Sequence, residues 1–215
     1  MEGFALKYYR FTVWVVRLVY VNLLWILFTV IGLGVLGIMP ATAAMFAVVR
    51  KWLRGEDDFP IFTTYKDAYK EEFLKANLLG YILAIIGYIL YLDIQIMQLQ
   101  EGLFFQFFTY LVIVIFVFYF ITLIYAFPMF AHMDLKIRDY LRWSLILGVT
   151  HPIITIFILI GLGIIYLFTI RLMPILFILL GLPLVAFVVS WGAKKIFDKL
   201  EATADELEKE ESKET

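Results

Sequence analysis

The chain carries five long apolar runs, at 11–36, 78–97, 104–127, 145–168 and 172–191. Nothing constrains its fold more. At about 1.5 Å of rise per residue, each run is long enough as a helix to cross the roughly 30 Å hydrocarbon layer of a bilayer. In that solvent every backbone amide and carbonyl must be paired internally, so a spanning segment is a helix or part of a closed barrel. Runs of this length, without strand-like alternation, select helices. The composition is 63% hydrophobic with a mean hydropathy of +0.91, more apolar surface than a soluble domain can hide. The expected fold is an all-α, polytopic transmembrane helix bundle, in which the lipid bilayer is itself the first partner.

Between the first two runs lies 41–53, apolar but only about 13 residues, or about 20 Å of helix. Charge decides how it is threaded. Cytoplasmic connections of membrane proteins carry an excess of Lys and Arg. Lys7, Arg10 and Arg17 flank the first run, and Arg50, Lys51, Arg54, Lys66, Lys70 and Lys75 precede the second. Lys136, Arg138 and Arg142 fill a later connection, and Lys194, Lys195, Lys199, Lys209 and Lys213 follow the last run, leaving Arg171 alone for the other side. If the four basic groups share the cytoplasm, an even number of crossings separates the first from the second, so 41–53 must return inward. This predicts about six membrane segments, the second short, with both termini cytoplasmic and outer connections at 32–39, 93–106 and 169–173. It implies a multi-pass protein of the cell inner (cytoplasmic) membrane, without a removable signal peptide. The transmembrane domain is expected over 1–193, with a charged cytoplasmic helical tail over 194–215.

A gap-free shift of 68 positions lays 60–80 over 128–148, matching Pro60 with Pro128 and Gly80 with Gly148; internal repeats of this kind occur in transporters. Within the first of these segments, 64–76 has apolar residues at steps of three and four and charge on the other face, the pattern of an interfacial helix. Thr64 and Asp67 suit a capping box at its start.

Chemistry-bearing residues are few. There is no cysteine, which removes disulfides and thiol catalysis, and His132 and His151 stand in no zinc-protease spacing. Nucleotide-loop and nucleophile-elbow motifs are absent. No enzymatic activity, cofactor, metal or nucleic-acid partner is expected. Polar groups at membrane depth are functional candidates because they are costly there: Asn22, Arg17 one to two turns before it, and His151, whose imidazole could bond the carbonyl freed by Pro152. Pro40, Pro128 and Pro152 are candidate helix breaks. Arg50, Lys51, Trp52 and Arg54 close the short segment, where cations complement a helix end, tryptophan anchors at the interface and a basic cluster attracts anionic lipids or a partner. Glu56, Asp57 and Asp58 offer hydrated carboxylates or an Arg/Lys contact.

The series NLLWILFTVIGLGVLGIMPATAAMFAVVRKWLRGED, PIFTTYKDAYKEEFLKAN and YAFPMFAHMDLKIRDYLRWSLILGVTHP resembles the YesL-like family of bacterial multi-spanning membrane proteins, a domain family of unknown function. The resemblance covers nearly the whole chain; at FAHMD the chain departs from the Arg usual near position 132. Genes of the family often neighbour those for carbohydrate ABC transporters. The resemblance therefore implies an accessory or regulatory role in oligosaccharide uptake, with a permease or ATPase subunit as partner. Two other readings stay open on the residues: a small secondary transporter or channel using Asn22 and Pro40, and a scaffold that binds anionic lipid.

Overall fold

The structure, a computed structural model, describes residues 2–99, 102–168, 171 and 174–214, with side chains described except at 2–6, 177–178 and 200–214. All regular structure among these residues is helical: α1 (Glu2–Ile31), α2 (Val35–Leu53), α3 (Ile61–Glu71), α4 (Phe73–Gln98), α5 (Leu103–His132), α6 (Ile137–Thr150) and α7 (Pro152–Leu167). A short α8 (Pro174–Leu176) passes through a π-helical segment, Phe177–Gly181, into α9 (Leu182–Glu214). Among the described residues five segments are long and apolar enough to cross a bilayer: Lys7–Ile31, Val35–Leu53, Phe73–Gln98, Leu103–His132 and Leu179–Lys199. Helices α6 and α7 meet that test together, as a pair bent by 96°.

The second segment is not short. It has 19 residues, because the chain reverses at Gly32–Gly34 rather than nearer Pro40. Leu33 (φ 59°) and Gly34 (φ 72°) take the left-handed conformation of the turn, which glycine adopts without a Cβ penalty. Pro40 lies inside α2 and does not break it. A proline within a helix leaves the carbonyl four residues back without its amide donor. Here that carbonyl is Leu36 O, and the Asn77 amide nitrogen of α4 donates to it at 2.9 Å. Pro128 likewise sits inside α5, which continues to His132.

Pro152 is a true break. The residue before a proline is pushed out of the helical region, and His151 has φ −120° and ψ 61°. The continuous segment expected over 145–168 is therefore two helices meeting at an elbow. The freed carbonyl, Gly148 O, accepts the Thr155 hydroxyl at 2.9 Å. His151, expected to fill that role, places Nδ1 3.3 Å from Leu147 O and 3.0 Å from the Thr150 hydroxyl instead.

One further expectation is corrected. α3 begins at Ile61 behind Pro60 with no side-chain cap, so Thr64 and Asp67 lie within the helix, which ends at Glu71 rather than running to 76. Shifted by 68, α1 falls on α4, α2 begins where α5 begins, and α4 falls on α6 and α7, while α3 falls on the end of α5, the non-helical residues 133–136 and the start of α6. The boundary at 193/194 falls inside α9, whose Ile196 and Phe197 are buried.

The core is built around α2, which packs against α1, α3, α4, α5 and α9. Its small residues Ala41, Ala43 and Ala44 are buried and let neighbouring backbones approach closely. The Tyr65 hydroxyl donates to Ala41 O at 2.6 Å and the Tyr69 hydroxyl to Phe28 O at 3.1 Å, which fastens α3 across the α1–α2 pair. Buried residues of α4 end at Leu83 and those of α5 begin at Thr122. Beyond those points the two helices leave the bundle together, joined where the Tyr119 hydroxyl donates to Leu83 O at 3.0 Å. From Leu83 to Gln98 this apolar hairpin projects about 22 Å at 1.5 Å per residue.

Candidate functional site

The basic groups gather at one end of the molecule through direct contacts. Arg17 donates to Asp57 Oδ1 at 2.9 Å and to Asp57 O at 3.1 Å, tying α1 to the connection after α2; this realises the Arg contact open to the Glu56–Asp58 cluster. Lys75 of α4 pairs with Asp134, just after α5. Lys194 Nζ of α9 donates to Leu53 O at 2.7 Å, and Arg50 Nη1 of α2 donates to His132 O at 3.4 Å. Exposed ion pairs are each worth about 0–1 kcal/mol, so their value here is in marking which helix ends lie side by side.

Between the C-terminal ends of α2 and α5 and the middle of α9, Arg50 and Lys194 reach an open pocket of about 60 Å³. Arg50 and Arg54 reach it from α2 because residues four apart share a helix face. Lys194 and Asp198 do the same from α9, 4.0 Å apart, and Ser190 lies one turn above. Its apolar wall includes Phe46, Pro128 and Phe197, the last stacked on the His132 ring with centroids 4.4 Å apart. Cations complement the partial negative charge of helix C-termini, and Leu53 O and His132 O are such carbonyls.

The basic cluster expected to act as a unit is thus divided. Arg50 and Arg54 face the pocket, and Arg50 also borders the recess beside α3. Lys51 lies over the Phe59 ring at 5.0 Å and lines a separate recess with Asp67 and Glu71 of α3. Trp52 is no interfacial anchor: it is buried, edge-on to Trp14 at 5.5 Å, because it falls on the core face of α2.

The polar residues at membrane depth behave largely as structural groups. Asn22 is buried on α1 and engaged in an interaction of its own. Thr122 donates to Phe118 O at 2.9 Å and Thr150 to Ile146 O at 2.8 Å; Thr155 also bonds the Tyr125 hydroxyl at 3.0 Å. Asn77 is the residue sequence reasoning missed; Lys194 stood out only as one of the basic residues after the last run. Asn77 carried one signal, a carboxamide immediately before an apolar run, but its partner sits on another helix. At the break between α3 and α4, burial pushes the Glu72 carboxyl above its usual range; Lys75 opposes this, while Asp134 and Glu71 add to it.

Comparison with known proteins gives the following. Residues 18–94 match the family described as "Protein of unknown function, DUF624". Three Bacillus subtilis proteins, each described as uncharacterized, are similar to the chain. YteU is 44% identical over 151 residues, covering 70% of this chain and 67% of YteU. YesL is 39% identical over 153 residues, covering 71% of each, and YesV 36% identical over 188 residues, covering 87% of this chain and 90% of YesV. No solved structure matches.

Proposed function

From the premise that this chain belongs to the DUF624 family of helical membrane proteins, we propose that it is a non-enzymatic accessory protein of the cell inner (cytoplasmic) membrane. It serves carbohydrate uptake by contacting the permease or ATPase subunits of an ABC-type importer. The link to uptake rests on the family resemblance. The observation that supports action by contact is the α4–α5 hairpin, which stands clear of its own bundle.

Within lipid, apolar exposure costs little, and helices associate through packing rather than hydrophobic burial. A two-helix arm exposed on its outer faces, with Phe104, Phe107, Tyr110, Val114 and Val117 at the surface, can lie against another membrane protein without disturbing its own core. A solute pathway draws less support, because Asn77, Thr122, Thr150 and Thr155 spend their hydrogen bonds on helix backbone.

The test is photo-crosslinking from Tyr88 and Val114 in native membranes, followed by detergent purification and identification of the adducts, with oligosaccharide uptake measured in a deletion strain. The expected result is an importer subunit bound to the arm and slower uptake. Repeated recovery of no permease or ATPase, with uptake unchanged, overturns the reading.

A further inference from the structure

We propose that the pocket between α2, α5 and α9 binds a phosphoryl anion, carried by a phospholipid headgroup or by a soluble phosphate ester. This inference does not depend on the import reading.

Positive charge is in excess in this pocket. Arg50, Arg54 and Lys194 line it with one carboxylate, Asp198. That carboxylate is 4.0 Å from Lys194, and neither arginine has an ion-pair partner among the described residues. Arg50 and Arg54, four apart on α2, are like charges on one face, an arrangement that destabilises a helix unless something compensates it. Capping of helix ends explains part of the cluster: Lys194 serves Leu53 O and Arg50 Nη1 serves His132 O. It leaves over the Arg54 guanidinium and Arg50 Nε, which is buried with no hydrogen-bond partner.

A guanidinium carries five N–H donors in a fixed fork, and leaving a charged donor buried and unmet is costly. A tetrahedral oxyanion has acceptor oxygens enough to meet the Arg50 guanidinium, Arg54 and Lys194 together, at charge-assisted strength. Lys194 comes from a different helix, so the cations approach from two sides, which suits a tetrahedral phosphoryl group better than a planar carboxylate. The apolar wall of Phe46, Pro128 and Phe197 would carry the glycerol or sugar portion next to the phosphate. Lys51 and Trp52, adjacent in sequence, take no part.

The experiment uses the full chain in phosphatidylcholine nanodiscs. One arm titrates inorganic phosphate and glycerol 3-phosphate by calorimetry; the other dopes in phosphatidylglycerol and counts retained lipid by native mass spectrometry. At least one arm is expected to show binding that Arg54→Gln weakens by about tenfold or more. Arg50→Lys, which keeps the charge but loses the guanidinium fork, is expected to weaken it similarly, and Lys66→Gln, a charge loss on α3, to leave it unchanged. Retention of lipid alone assigns a headgroup, and binding of a soluble phosphate alone assigns an ester. Absence of binding in both arms, or equal loss in all three variants, overturns the proposal. Arg54 is exposed, so Arg54→Gln remains informative if Arg50→Lys fails to fold.

Discussion

Asn77 and Pro40 form a pair that neither residue advertises. Proline removes a donor inside α2, and a carboxamide from α4 supplies one. Asn77→Leu strands Leu36 O in an apolar core. We expect a loss of about 1–3 kcal/mol, at the lower end because Asn77 Oδ1 is itself buried without a partner. In a Pro40→Ala background the backbone amide is restored, so the same change should cost clearly less in thermal or denaturant unfolding; equal costs would break the link. Glu72 gives a pH-dependent case. Its carboxyl titrates above the usual range, so the folded state holds the proton more tightly than the unfolded chain. That contribution is present below the unfolded pKa and lost as pH rises through the folded one. Glu72→Gln should therefore raise the melting temperature at neutral pH, with the gain shrinking on acidification. The prolines, Asn22 and the basic cluster were all legible as residues. The repairs were not, because Asn77 and Thr155 act on carbonyls that only the folded chain brings to them.

Helices were legible as apolar runs, and their ends were not. The first run extends to 36 because Leu33, Val35 and Leu36, at and beside the turn, are as apolar as the helices they join. Leu33 is 82% exposed, so the usual polar signal of a turn is missing at a turn that lies on the surface of the fold. The elbow between α6 and α7 was hidden for the opposite reason: hydropathy continues across His151–Pro152 while the backbone does not. Packing holds that elbow in place, since a methyl group on Gly148 would overlap Ile121 of α5. Gly148→Val should overpack the α5–α6 contact and cost about 1–3 kcal/mol, read as a lower melting temperature in detergent; an unchanged value would mean that α6 is free to shift. α3 was visible as amphipathic, yet its seat on Phe28 and Ala41 depends on two tyrosine hydroxyls reaching other helices.

For the whole molecule, charge counting gathered the basic connections on one side, and the contacts Arg17–Asp57, Lys75–Asp134, Arg50–His132 and Lys194–Leu53 bring them to one end. Depth was not legible. Asn77 and Tyr81 of α4 bond Leu36 O and Val35 O beside the α1–α2 turn, only a few residues after Lys75, while α4 and α5 continue well past it. The chain has no cysteine, so single cysteines report cleanly. A membrane-impermeant thiol reagent added outside should label Leu103→Cys and leave Leu33→Cys untouched; equal labelling would place both turns at the outer water.

The same offset makes the molecule unequal in girth along the bilayer normal. Near the basic end, α1, α2 and α3 add their width to the remaining helices, whereas farther out the α4–α5 arm stands apart from them. Such a body displaces more lipid area from one leaflet than from the other. It should therefore settle where the membrane is already curved to accommodate a cone, and bend a flat one slightly where it is crowded.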